Sequence, residues 1–164
     1  MAEKLEVRII TPENVVFSRK AESVSLPGMV GDMEILPGHV SIFSTIKPGQ
    51  VTVKSGTAQA IFAVGTGFLE VNADIVKILV DSCEGNTSID PEEQRKLIEE
   101  AEDKLKTLDS EDVETRFAFE TLLATAKARI EVFERTEGMQ EEGTQFSCFV
   151  EPVSPESDSG GESK

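Results

Sequence analysis

Residues 74–100 read DIVKILVDSCEGNTSIDPEEQRKLIEE, and the hydrophobic period changes inside them. The run from Ile75 to Val80 is short and rich in β-branched residues, as a strand is. Beyond Cys83 the signals are helical. Asp90 is a good N-cap, Pro91 suits the first helical position, and Glu93 stands three residues after the cap. Leu97, Ile98, Ala101, Leu105 and Leu108 then recur at helical spacing, with acids on the other face. A β module therefore precedes an α module, with a boundary near residue 86.

Upstream, residues 4–84 read as strands. LEVRI alternates, with Leu5, Val7 and Ile9 on one face. VVFSRKAESVSL, QVTVKSG, AQAIFAVG and FLEVNA follow, divided by turn signals such as Pro27-Gly28, Pro37-Gly38, Lys47-Pro48-Gly49 and Ser55-Gly56. Short strands with turns about every 8–12 residues predict a sandwich or a barrel. FLEV-NAD-IVKI predicts a hairpin with a three-residue connection.

Downstream, TLDS breaks the first helix. Asp109 or Ser110 is placed to cap a second, with Glu111 and Asp112 in its first turn. Phe119, Leu123, Ala126, Ile130 and Phe133 step by 4, 3, 4, 3, one apolar stripe. Ala124, Ala126 and Ala128 allow a neighbouring helix to approach closely. A short connection makes the two helices an antiparallel hairpin. Gly138 is placed to end the second helix. The remainder, 138–164, is rich in Ser, Glu, Gly and Pro and reads as a disordered acidic tail with one apolar patch, FSCFV. The expected division is 1–86, 87–137 and 138–164.

The net charge of -15 argues against nucleic acid, whose phosphates require Lys and Arg, and against an anionic membrane surface. It is uneven: residues 1–85 carry net -3, residues 86–137 net -7 and residues 138–164 net -5. No apolar run approaches the roughly 18–20 residues that span a bilayer, so direct lipid insertion is not expected. The N-terminus shows no signal-peptide pattern. The two cysteines, Cys83 and Cys148, read as free thiols of a reducing compartment.

His39 is the only histidine. It sits in GDMEILPGHV, residues 31–40, where a histidine can be a base, a metal ligand or a contact residue. A catalytic triad would have to use it, and Gly-x-Ser-x-Gly is absent. Zinc needs three or four Cys and His ligands, and the chain holds three such residues in total. No P-loop occurs, and Gly65-Thr66-Gly67 reads as a tight turn rather than a phosphate cradle. Neither an enzyme, a metal site nor a cofactor is expected. A binding or mechanical role is left. Lys127, Arg129 and Arg135, with Arg116 further back, place positive charge on the second helix. They either pair with neighbouring acids, as Glu131 and Arg135 could, or face an acidic partner.

The ordered set Gly31-Asp32, Leu36-Pro37-Gly38-His39, Ile46-Lys47-Pro48-Gly49, Gly65-Thr66-Gly67-Phe68-Leu69-Glu70-Val71 and Ile89-Asp90 resembles the epsilon subunit of the bacterial F-type ATP synthase. The likeness spans about residues 4–136. It implies an α+β fold, a ten-stranded β-sandwich followed by an antiparallel helical hairpin. It implies a non-catalytic rotor part of the central stalk in proton-driven ATP synthesis, peripheral at the cytoplasmic face of the cell (inner) membrane. The implied partners are the gamma subunit, the c-ring, and the alpha/beta catalytic head when the helices extend and inhibit hydrolysis. Asp32 and His39 carry over as contacts to gamma and the c-ring, in one glycine-rich turn. Lys127, Arg129 and Arg135 carry over as helix contacts to the head. Some members bind ATP through Ile-Asp-x-x-Arg-Ala. Here Glu93 and Gln94 stand at the Arg and Ala positions, so ATP binding is not expected. The rival readings are a free-standing β-sandwich binding module with a helical appendage, and an enzyme using His39 with a carboxylate.

Overall fold

A computed structural model describes residues 3–141. Cys148, FSCFV and the expected tail from residue 142 onward lie outside the described residues. The strands are β1 (Leu5–Ile10), β2 (Val15–Ala21), β3 (Ser23–Pro27), β4 (Asp32–Ile35), β5 (Ile42–Ile46), β6 (Gly49–Ser55), β7 (Ala58–Val64), β8 (Gly67–Asn72), β9 (Ile75–Val80) and β10 (Cys83–Glu84). A 3-10 turn, Asn86–Ser88, leads to α1 (Pro91–Thr107) and α2 (Val113–Glu141).

Two five-stranded sheets form, in the orders β2-β1-β9-β8-β5 and β10-β7-β6-β3-β4. The sandwich is therefore the realised option, not the barrel. VVFSRKAESVSL splits at Glu22, where the chain passes from one sheet to the other. That corner is pinned: Glu22 N–H donates to Lys54 O at 2.8 Å, and the Glu22 carboxylate accepts from Gly56 N–H at 3.0 Å. Leu5, Val7 and Ile9 are buried as their alternation predicts, among Val24, Ile35, Val51, Phe62, Leu69, Val76 and Ile78. Burying each such side chain contributes about 1.5–3 kcal/mol.

Three local features differ from expectation. The β8–β9 connection has two residues, since Asn72 pairs with Ile75, and Ala73 takes a positive φ of 52° to close it. The cap of α2 is Asp112, whose carboxylate accepts from Thr115 N–H at 3.1 Å; Asp109 is used earlier, its carbonyl accepting from Asp112 N–H. Gly138 does not end α2, which continues to Glu141. Gly138 is absent from the positive-φ glycines, so it keeps the backbone that lets a helix run on.

The first helix is as expected at both levels. Asp90 caps it by accepting from the Glu92 and Glu93 N–H groups. Ala101 is buried and Leu97, Ile98, Leu105 and Leu108 are half-buried. The expected stripe of α2 from Phe119 to Phe133 is likewise inward. A second face of α2, Ala128, Val132 and Thr136, is also buried. It packs on the sandwich, where Val132 meets Ile61, Ala63 and Ile89. Thr136 satisfies its hydroxyl by donating to Val132 O at 2.7 Å.

Candidate docking faces and hinge

Asp32 and His39 stand at opposite ends of β4, not in one turn. Asp32 opens the strand opposite Pro27. Between them, Gly28 and Gly31 exchange backbone hydrogen bonds of 3.1 and 3.3 Å, leaving Met29 and Val30 at the exposed tip. At the far end, Leu36-Pro37-Gly38-His39 forms a turn closed by His39 N–H donating to Leu36 O at 3.1 Å. Pro37 suits its second position, and Gly38 supplies the φ of +78° its third requires. Asp74 of the β8–β9 turn accepts from Gly38 N–H at 3.0 Å and holds this turn in place. His39 Nδ1 lies 3.0 Å from Val40 O, a local contact within its own turn.

Gly65-Thr66-Gly67 is a packing turn. A Cβ on Gly67 would lie 1.9 Å from Leu79 O, and one on Gly65 would lie 1.8 Å from the Asp81 carboxylate. Thr66 Oγ1 donates to that same Asp81 carboxylate at 3.0 Å.

The outer face of the β2-β1-β9-β8-β5 sheet is divided. Its middle row holds ion pairs, with Arg8 on Glu6 and Lys77 3.6 Å from Glu70. At the end nearer Asp32 the register aligns Ile10, Leu79 and Phe68 across β1, β9 and β8. Phe43 of β5 stacks on Phe68 with ring centroids 5.7 Å apart. Phe43 is 70% exposed, Phe68 49% and Leu79 40%. Together with Met29 and Ile10, Phe68 and Leu79 line a groove of about 660 Å³. None of these apolar residues stood out in sequence as a surface group. The available signal was IVKILV, apolar at both parities.

The four cations of α2 all have partners within the chain, Arg116 with Glu120 one turn on. Lys127 Nζ is 3.2 Å from Glu102 of α1. Arg135 donates to Gln50 Oε1 of β6 at 3.1 Å, and Gln50 in turn donates to Glu131 at 3.0 Å. Arg129 donates to Glu84 of β10 at 2.9 Å and to Gln94 of α1 at 3.3 Å. The contacts step from β10 at Arg129 to β7 at Val132 to β6 at Arg135, so α2 crosses the strands of the sheet it covers. Glu93 is exposed, whereas Gln94 is buried and holds Arg129. Beside Glu84, burial pushes the Cys83 thiol up to about 12, with the Glu84 charge adding to the effect.

Among the described residues no group of three or more His, Cys, Asp and Glu could hold a metal ion, and no helix is long and apolar enough to cross a membrane.

A β-sandwich with one face closed by its own helical hairpin defines a scaffold with a second, open apolar face. The family model for the ATP synthase delta/epsilon chain β-sandwich domain matches residues 4–86. The chain is 34% identical over 132 residues to the ATP synthase epsilon chain of Geotalea uraniireducens, covering 80% of this chain and 95% of that one. It is 39% identical over 118 residues to the Myxococcus xanthus epsilon chain, covering 71% and 85%. The chain therefore belongs to the ATP synthase epsilon chain family. A chain in a cryo-EM structure of the Euglena gracilis mitochondrial ATP synthase has the same fold, with a TM-score of 0.64 at 21% identity over 84% of this chain and 81% of that one.

Proposed function

We propose that this epsilon chain is a non-catalytic part of the rotating central stalk, coupling gamma to the c-ring in proton-driven ATP synthesis. One observation carries the reading. The sandwich has two outer faces; its own α2 covers one, and the other exposes Phe43, Phe68 and Leu79. Exposed stacked aromatics rimmed by charges are the anatomy of a docking face. That face takes gamma, and the adjoining Met29-Val30 tip with Asp32 takes the c-ring. His39, at the other end of β4, forms a separate contact. The complex sits at the cytoplasmic face of the inner membrane, held there by protein partners.

The hairpin is the regulatory part. Folded down, it engages Lys127, Arg129 and Arg135 within the chain. Extended, it offers the same cations to acidic groups of the alpha/beta head and restrains hydrolysis. Only a difference in affinity between the two positions can drive the exchange. The hairpin answers to partners rather than to ATP, because an acid, Glu93, stands where a phosphate-facing Arg would. Reconstituted complex carrying the chain without residues 88–164 is expected to hydrolyse ATP faster than complex with the full chain, at unchanged subunit retention. Equal rates would remove the inhibitory role.

A further inference from the structure

We propose that Arg129, Glu84 and Gln94 form a latch that locks α2 onto the sandwich and sets how readily the hairpin leaves it. Arg129–Glu84 is the only ion pair among the described residues that joins the hairpin to the sandwich. It is also the least exposed, with side chains 18% and 32% accessible. The other pairs are solvated, such as Arg95–Glu134 and Lys127–Glu102, and exposed pairs of that kind contribute little.

The geometry is specific. One guanidinium spans two acceptors on different elements, Glu84 of β10 and the buried Gln94 of α1. A planar fork can bridge both; a lysine ammonium on a flexible stem reproduces the charge but not the bridge. The apolar contact beneath is small, Val132 with Phe133 on Ile61, Ala63 and Ile89. The latch therefore adds the one charged contact to that apolar seat and to the Arg135–Gln50–Glu131 hydrogen bonds. Removing Arg129 would leave Gln94 Oε1 without its donor and Glu84 half-buried and unpaired, both costly.

The closed position is held by this bridge together with the Arg135–Gln50–Glu131 hydrogen bonds to β6 and the apolar seat of Val132.

The latch deepens the reading of the hairpin as a regulatory part, but its test is separate. Hydrogen exchange measured by mass spectrometry on the full chain reports opening without any ATP assay. Arg129→Met keeps the apolar stem, and it is expected to speed exchange over residues 125–136 about tenfold or more while β8 and β9 stay protected. Gln94→Ala moves it in the same direction by a smaller factor. Arg129→Met within twofold of wild type would overturn the latch. Should Arg129→Met also unprotect β8 and β9, the exchanged pair Glu84→Arg with Arg129→Glu decides. Recovery of α2 protection supports the latch, and no recovery over either single variant overturns it. If the latch holds while loss of the helices leaves hydrolysis unchanged, the inhibitory reading fails and the latch stands.

Discussion

Strands β7 and β9 are both apolar runs, and they meet opposite fates. Residues Ala60–Val64 of β7 are buried without a break, because the core takes one face and α2 the other. Val76, Ile78 and Val80 of β9 are buried, but Ile75 and Leu79 on its other face remain 40% or more exposed. The same apolar composition thus marks one surface closed internally and one left open. An open apolar row costs solubility and gains nothing within the chain, which favours the docking face proposed for it.

The comparison breaks first at a matched pair of substitutions. Ile61→Asp places a charge under α2 and is expected to destabilise the fold by on the order of 3–5 kcal/mol, read by chemical denaturation. Leu79→Asp, on the open face, is expected to change stability by less than about 1 kcal/mol. Equal losses would mean that the open face is as structural as the covered one. A smaller effect belongs to the hairpin that does the covering. Asp90→Ala removes the acceptor for the Glu92 and Glu93 N–H groups. It is expected to cost about 1 kcal/mol, seen as faster exchange in the first turn of α1 with the sheets unaffected.

The smallest effect tests burial at the edge of the sandwich core, against which Cys83 packs. A Cys83 thiol pushed up to about 12 stays protonated at ordinary pH, so iodoacetamide should leave it unmodified at pH 8 in the folded chain and modify it after denaturation. The sign for stability follows from the direction. A folded pKa raised above the unfolded 9.0 gives a contribution present below about pH 9 and lost as pH rises toward about 12. Rapid modification of Cys83 in the folded chain would show that edge of the core to be open.

Much of this architecture is legible in the residues. The shift from strand to helix period at Cys83 marks the two modules, and Asp90-Pro91 marks the first helix to the residue. The inward stripe of α2 follows from its 4, 3, 4, 3 spacing. Its second buried face does not, because Ala128, Val132 and Thr136 are small or polar and lie under a sheet that sequence does not locate. Asp112 does not stand out as the cap in sequence because Asp109 and Ser110 are equally good cap residues, and only the turn from Asp109 to Asp112 selects between them. Asp32 and His39 are near in sequence, but a strand separates them, and strand direction carries residues apart that a turn would bring together. Phe43, Phe68 and Leu79 were hidden by their type, since apolar residues in strands read as core until the register assigns their face.

The central claim is that the open face docks a partner while the hairpin occupies the other. The direct measurement is affinity for the purified gamma subunit by calorimetry, comparing the wild-type chain with Phe68→Asp. The account predicts a loss of about 30-fold or more at an unchanged unfolding midpoint, the scale of a central aromatic contact. Unchanged affinity with a folded variant would contradict it.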